Sequence, residues 1–141
     1  GATVFLDDQH TCTGVYPIVT PMSMQRGMLG SMSDALLVHL SFPSLDAAQR
    51  CCEALVSEGL AACAQVHEGV WSFYRWEGKM CREREVTASL KTRQARLGAL
   101  QARVVELHSY DCPEIIATPI VGGHAPYLAW VDEMTQPPSE P

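Results

Sequence analysis

No stretch of this sequence runs uninterrupted in apolar residues for anything near the roughly 20 positions that a membrane-spanning helix requires. Basic residues are in deficit. Ten lysines and arginines stand against sixteen acids, giving a net charge of −6 and a pI near 5.2, and such a balance repels phosphate backbones. Neither a membrane nor a nucleic acid is therefore an expected partner. Charged residues make up only 18% of the chain and hydrophobic ones 47%, which excludes a wholly disordered polymer. At 141 residues the chain holds one domain with a real core and little besides.

Zinc-ligand spacing is also missing. Of the six cysteines, Cys51 and Cys52 are adjacent, while Cys12, Cys63, Cys81 and Cys112 are scattered, and none forms a CxxC pair. A domain that buries its own core needs no disulfide staples. The expectation is reduced cysteines in a cytoplasmic protein, several of them serving as small apolar residues. No phosphate-binding loop or nucleophile–base motif is present, so the chain is not expected to be an enzyme.

Residues 1–31 lack sustained helical or strand periodicity and are punctuated by Gly14, Pro17, Pro21, Gly27 and Gly30. They read as an N-terminal extension, an artificial leader or a processed remnant. The domain is expected over 32–136, followed by a short tail over 137–141 opened by Pro137-Pro138.

From Met32 onward the pattern alternates. Ala35 to Leu40 is an apolar run that suits a buried strand. Ser44 then caps a helix with Asp46 in its first turn, Leu45, Ala48, Cys52, Leu55 and Val56 on one face, and Gly59 as its stop. A long strand over 60–76 is interrupted near Glu68-Gly69, turns at Glu77-Gly78-Lys79 and returns through Val86, Ala88 and Leu90 on alternate positions. Leu97, Leu100, Val104 and Leu107 mark a second amphipathic helix, residues 114–120 a further strand, and Tyr127, Trp130, Val131 and Met134 a last short helix.

This order, β-α-β-β-α-β plus a C-terminal helix, predicts an α+β, ferredoxin-like split βαβ fold with an antiparallel sheet. The residues over 60–66 look apolar on both faces. The hairpin adds Trp71, Phe73, Tyr74 and Trp76 to what should be a protruding ribbon. A closed homo-oligomer would cover both surfaces and pair the free strand edges.

The residues also resemble a known family, the CutA divalent-cation tolerance proteins. The likeness lies in Leu60-Ala61-Ala62-Cys63-Ala64, Tyr74-Arg75-Trp76-Glu77-Gly78-Lys79, Glu85-Val86 and Leu90-Lys91-Thr92. It continues through Leu107-His108-Ser109-Tyr110, Cys112-Pro113-Glu114-Ile115-Ile116, Pro119-Ile120 and Tyr127-Leu128-Ala129-Trp130-Val131. The resemblance implies a tight homotrimer whose long hairpin reaches its neighbours, non-catalytic, binding copper or another divalent cation weakly.

Candidate metal ligands are His108, Cys63 and Cys112, because copper(II) favours imidazole and copper(I) thiolate. His108 closes a helix, where an imidazolium is favoured. The family's copper ligands, a cysteine ending the first strand and two adjacent histidines, fall here on Leu40 and Leu107-His108, so one of three is kept. His39 reads as a core or interface histidine and His124 as a loop residue. The resemblance also implies an intersubunit cleft drawn from Glu77, Lys79, Lys91, Tyr110, Glu114, Tyr127 and Trp130. That set could bind a small anion, or Lys91 and Glu114 could simply form an interface ion pair.

Overall fold

The computed structural model describes residues 34–138; the expected extension over 1–31, the domain start at Met32 and most of the tail lie outside the described residues. Seven elements follow in order: β1 (Ala35–Phe42), α1 (Leu45–Ser57), β2 (Cys63–Trp76), β3 (Lys79–Arg93), α2 (Gln94–Leu107), β4 (Ile115–Pro119) and α3 (Ala125–Met134). The sheet order is β2-β3-β1-β4 with every neighbouring pair antiparallel. β1 thus inserts between β3 and β4, and β3 between β1 and β2, which is the split βαβ arrangement that the sequence pattern predicts.

Local chemistry sets the helix limits. The Ser44 side chain accepts a hydrogen bond from the Ala47 amide at 3.2 Å, and Asp46 lies in the first turn of α1. At the other end the Leu60 amide reaches back to the Leu55 carbonyl at 2.9 Å and the Gly59 amide to Val56 at 3.1 Å. This pair of bonds satisfies carbonyls the helix would leave open. It also turns residues 60–62 out of helical geometry ahead of β2, so the strand begins at Cys63, later than its apolar run suggests.

Alternation along the strands builds the core. Val38 pairs with Leu90, Leu40 with Ala88 and Phe42 with Val86, and all six are buried beneath α1 and α2. The helices contribute Ala48, Cys51, Cys52 and Leu55 from α1 and Leu97, Leu100 and Val104 from α2. Each large aliphatic side chain buried here adds roughly 1.5–3 kcal/mol. Thr92 is also buried and donates to the Leu60 carbonyl at 2.7 Å, so its hydroxyl does not go unsatisfied.

The opposite sheet face is mixed rather than apolar. It presents Leu37, His39, Gln65, Ser89, Lys91 and Ile116 by register. α3 covers one end of this face, where Arg93 pairs with Asp132 at 2.9 Å. Leu37 and Ile116 stay exposed.

Beyond Phe42, where β1 ends, β2 and β3 continue as a two-stranded ribbon. His67 pairs with Thr87 but Val70 pairs with Glu85, so Glu68 and Gly69 stand opposite the single residue Val86. Gly69 has φ +76°, the left-handed conformation that a one-residue bulge of this kind requires. At the tip, Trp76 pairs with Lys79 across Glu77 and Gly78, whose φ values are +49° and +77°. Positive φ at both central residues is the tight turn whose twist matches a hairpin.

A Cβ added at Gly78 would meet nothing within 4 Å. The cost of Gly78→Ala is therefore conformational alone, about 1 kcal/mol. Urea unfolding should show that loss, with Gly78→Asn closer to the parent because Asn tolerates this region; equal stability of Gly78→Ala and the parent would mean the turn is not held in this form.

Candidate functional site

The polar residues singled out by sequence separate into three places. The first is the base of the ribbon. Because β1 stops at Phe42, the flank of β3 beside Glu85 is left without a strand, and the segment leaving α2 passes there. His108 ends α2 and stacks on Phe42 with ring centres 4.8 Å apart and planes inclined by 14°. The Tyr110 amide donates to His108 Nδ1 at 3.1 Å, which places the ring proton on Nε2, and that nitrogen donates to the Ser41 carbonyl at 2.7 Å. Burial lowers the His108 pKa, opposed by the Ser41 bond.

His108 is therefore a neutral structural histidine. Both nitrogens are engaged by backbone, and neither offers a lone pair to a metal. The ligand role expected for it would cost one of these backbone bonds; stacking on Phe42 buries the ring, and a buried imidazolium is disfavoured.

Tyr110 is buried and its hydroxyl donates to Glu85 Oε2 over a long 3.5 Å. Its pKa rises well above the ordinary phenol value, through burial first and the adjacent Glu85 charge second. Glu85 is only 2% exposed. Burial raises its pKa, a hydrogen bond with Ser72 works against that rise, and the nearby charges of Glu114 and Glu83 add to it. Sequence reading quoted Glu85 within a motif but gave it no role. Period two gives no signal of its burial: Glu85 falls in phase with Thr87, Ser89 and Lys91 on the open face, and it is Tyr110, arriving from the segment after α2, that packs against it.

The second place lies on the mixed sheet face under α3. Lys91 donates from Nζ to Gln65 Oε1 at 2.6 Å. Cys63 is a free, half-buried thiol with its Sγ 3.3 Å from the Tyr127 hydroxyl. Trp130 tilts against Tyr127 with centroids 5.7 Å apart. The bond to Cys63, then burial, raises the Tyr127 pKa.

Lys91 stands opposite Leu37, and Ile115 opposite Leu40. Glu114 is thus displaced from Lys91 by four strand positions, roughly 14 Å at 3.4 Å per residue. The Lys91–Glu114 ion pair does not form within one chain, and Gln65 takes its place. Tyr110 meets β3 at Glu85, six positions from Lys91, or roughly 20 Å away.

The third place is the ribbon tip, with Glu77 in the turn and Lys79 opening β3. It is twelve positions from Lys91, roughly 40 Å along the strand. A cleft holding all seven expected residues is not assembled by one chain.

The cysteines divide as well. Cys51 and Cys52 are buried thiols, pushed up to about 12 and about 11 by burial, as expected of small apolar residues. Cys112 is disulfide-bonded, which departs from the expectation of reduced cysteines. A disulfide sulfur is not a thiolate, so Cys112 is no copper ligand in this state. Among the described residues no group of three or more His, Cys, Asp or Glu side chains converges in a way that could hold a metal ion.

Comparison with known proteins places these features. A family model described as CutA1 divalent ion tolerance protein matches residues 36–134. The chloroplastic protein CutA 1 of Oryza sativa is 35% identical over 136 residues, covering 96% of this chain and 76% of the relative. The divalent-cation tolerance protein CutA of Thermus thermophilus is 39% identical over 99 residues, covering 70% of this chain and 96% of its own length. A solved structure of the Thermus thermophilus protein superposes with a TM-score of 0.71 at 38% identity, over 72% of this chain and 99% of that one.

Titration of the ribbon base supplies a test. With its pKa raised by folding, Glu85 disfavours the folded state once pH exceeds its unfolded value near 4.5. Glu85→Gln should raise stability at pH 7 and leave it unchanged below pH 4, read from paired melting curves; a gain of equal size at both pH values would contradict the assignment. His108 acts in the opposite sense. Its lowered pKa contributes stability that is complete above its unfolded value of about 6.5 and is lost as pH falls below it.

Proposed function

Because the chain belongs to the CutA1 divalent ion tolerance protein family, we propose that it acts as a homotrimeric, non-catalytic protein of divalent-cation tolerance. The observation that carries the assembly is the unfinished surface of the single chain. Leu37 and Ile116 stay exposed on a sheet face that α3 covers only in part. β3 has no β1 strand beside residues 79–85, because β1 ends opposite Val86. A closed ring of copies covers the face and pairs the edges.

Assembly is also what the polar residues require. The set centred on Lys91 and the set centred on Tyr110 are separated by roughly 20 Å along one strand. They form one cleft only if different subunits contribute them. Copper does not fit the single chain: His108 has no free nitrogen, Cys112 is in a disulfide, and Cys63 offers one sulfur. A cation held with affinity needs several ligands. On this reading, metal binds at subunit junctions, with Cys63 the remaining thiol from the expected ligand set.

Native mass spectrometry of chelator-treated protein, alone and with stepwise copper(II), tests both parts. The expected result is a trimer that takes up discrete coppers, with uptake lost in Cys63→Ser and kept in His108→Ala. A monomer would remove the assembly, and uptake unchanged in Cys63→Ser would remove the thiol.

A further inference from the structure

Past the bulge, strict alternation sorts the ribbon by charge. Val70, Ser72, Tyr74 and Trp76 share one face with Lys79, Cys81, Glu83 and Glu85. Trp71, Phe73 and Arg75 share the other with Met80, Arg82 and Arg84. The first face is half-buried or buried apart from Lys79, whereas every residue of the second is exposed. Three arginines, two aromatic rings and a methionine therefore stand together on the outside of an otherwise acidic protein.

The arginines are held in place. The Arg82 guanidinium lies 4.4 Å from the centre of the Trp71 ring and 5.8 Å from that of Phe73. Arg84 lies 5.4 Å from the same Trp71 ring, and its Nη2 is 3.5 Å from where a side chain at Gly69 would begin. Guanidinium groups stacked on rings lose little further freedom when they bind. Among the described residues none of the ion pairs involves Arg75, Arg82 or Arg84. The acids of the same strand, Glu83 and Glu85, point to the other face.

We propose that this outward face docks an extended, carboxylate-rich segment of a partner polypeptide. Arg82 and Arg84 are two positions apart on one face, roughly 7 Å, which is the repeat of alternate side chains in an extended chain. Acidic residues at i and i+2 of such a segment meet the two guanidinium forks in register, and planar forks match carboxylates. The face is exposed along its length, and its side chains alternate as those of an extended ligand do. Single-stranded nucleic acid fits less well. Guanidinium groups already lie against the Trp71 ring where a base would stack, and a longer polyanion running off the ribbon meets a chain of net charge −6.

Fluorescence anisotropy on the full chain tests this with three labelled probes: an alternating Glu-Thr peptide, an alternating Lys-Thr peptide and an oligothymidylate. The Glu-Thr peptide should bind saturably, and Arg82→Gln/Arg84→Gln should weaken it at least tenfold with an unchanged melting temperature. Arg82→Glu/Arg84→Glu should transfer preference to the Lys-Thr peptide, an outcome that damaged folding cannot produce. Absence of saturable Glu-Thr binding, affinity indifferent to both variants, or tighter binding of oligothymidylate through the same arginines would each overturn the proposal.

Discussion

A β-strand shows successive side chains to opposite faces, and β3 obeys this rule without interruption for its whole length. Where β1 lies alongside, the rule puts Val86, Ala88, Leu90 and Thr92 under the helices and Thr87, Ser89 and Lys91 on the open face. Where β1 has ended, the same rule sends Glu83 and Glu85 one way and Arg82 and Arg84 the other. The partner strand β2 does not keep phase: its single extra residue at Glu68-Gly69 shifts every later side chain to the opposite face. Without that bulge Trp71 and Phe73 would stand with the acids; with it they stand with the arginines.

Several energetic consequences meet at the ribbon base. Ending β1 early leaves room beside β3, and the segment after α2 fills it with His108 and Tyr110. His108 satisfies two backbone groups and stacks on Phe42, so its removal would orphan the Tyr110 amide and the Ser41 carbonyl together. Glu85 is the costly member, a carboxylate buried against a phenol with two other acids nearby. A core built only for stability would carry a neutral side chain there.

The separation of the polar groups has a single geometric origin. Residues close in motif order, such as Lys91 and Tyr110, attach to points far apart on one long strand. A domain whose longest strand has 15 residues cannot fold that distance back on itself. In the assembly proposed above, symmetry would bring one end of a ribbon to the other end of a neighbour's sheet.

Much of the fold is legible in the residue pattern. Apolar runs at period two and near 3.6, the Ser44 cap and the Glu77-Gly78 turn each depend on neighbours a few positions away, so sequence alone determines the seven elements, their order and the class of sheet. The bulge was legible as an interruption at Glu68-Gly69, but which side chains it regrouped was not. Tertiary structure decided what the candidate residues do. His108 carries the same imidazole in any context; only its position over Phe42, between the Ser41 carbonyl and the Tyr110 amide, engages both of its nitrogens with backbone. Lys91 found Gln65, and Glu85 became the buried acid, because strand register brings together residues distant in the chain, and register is a property of the whole sheet rather than of any local stretch.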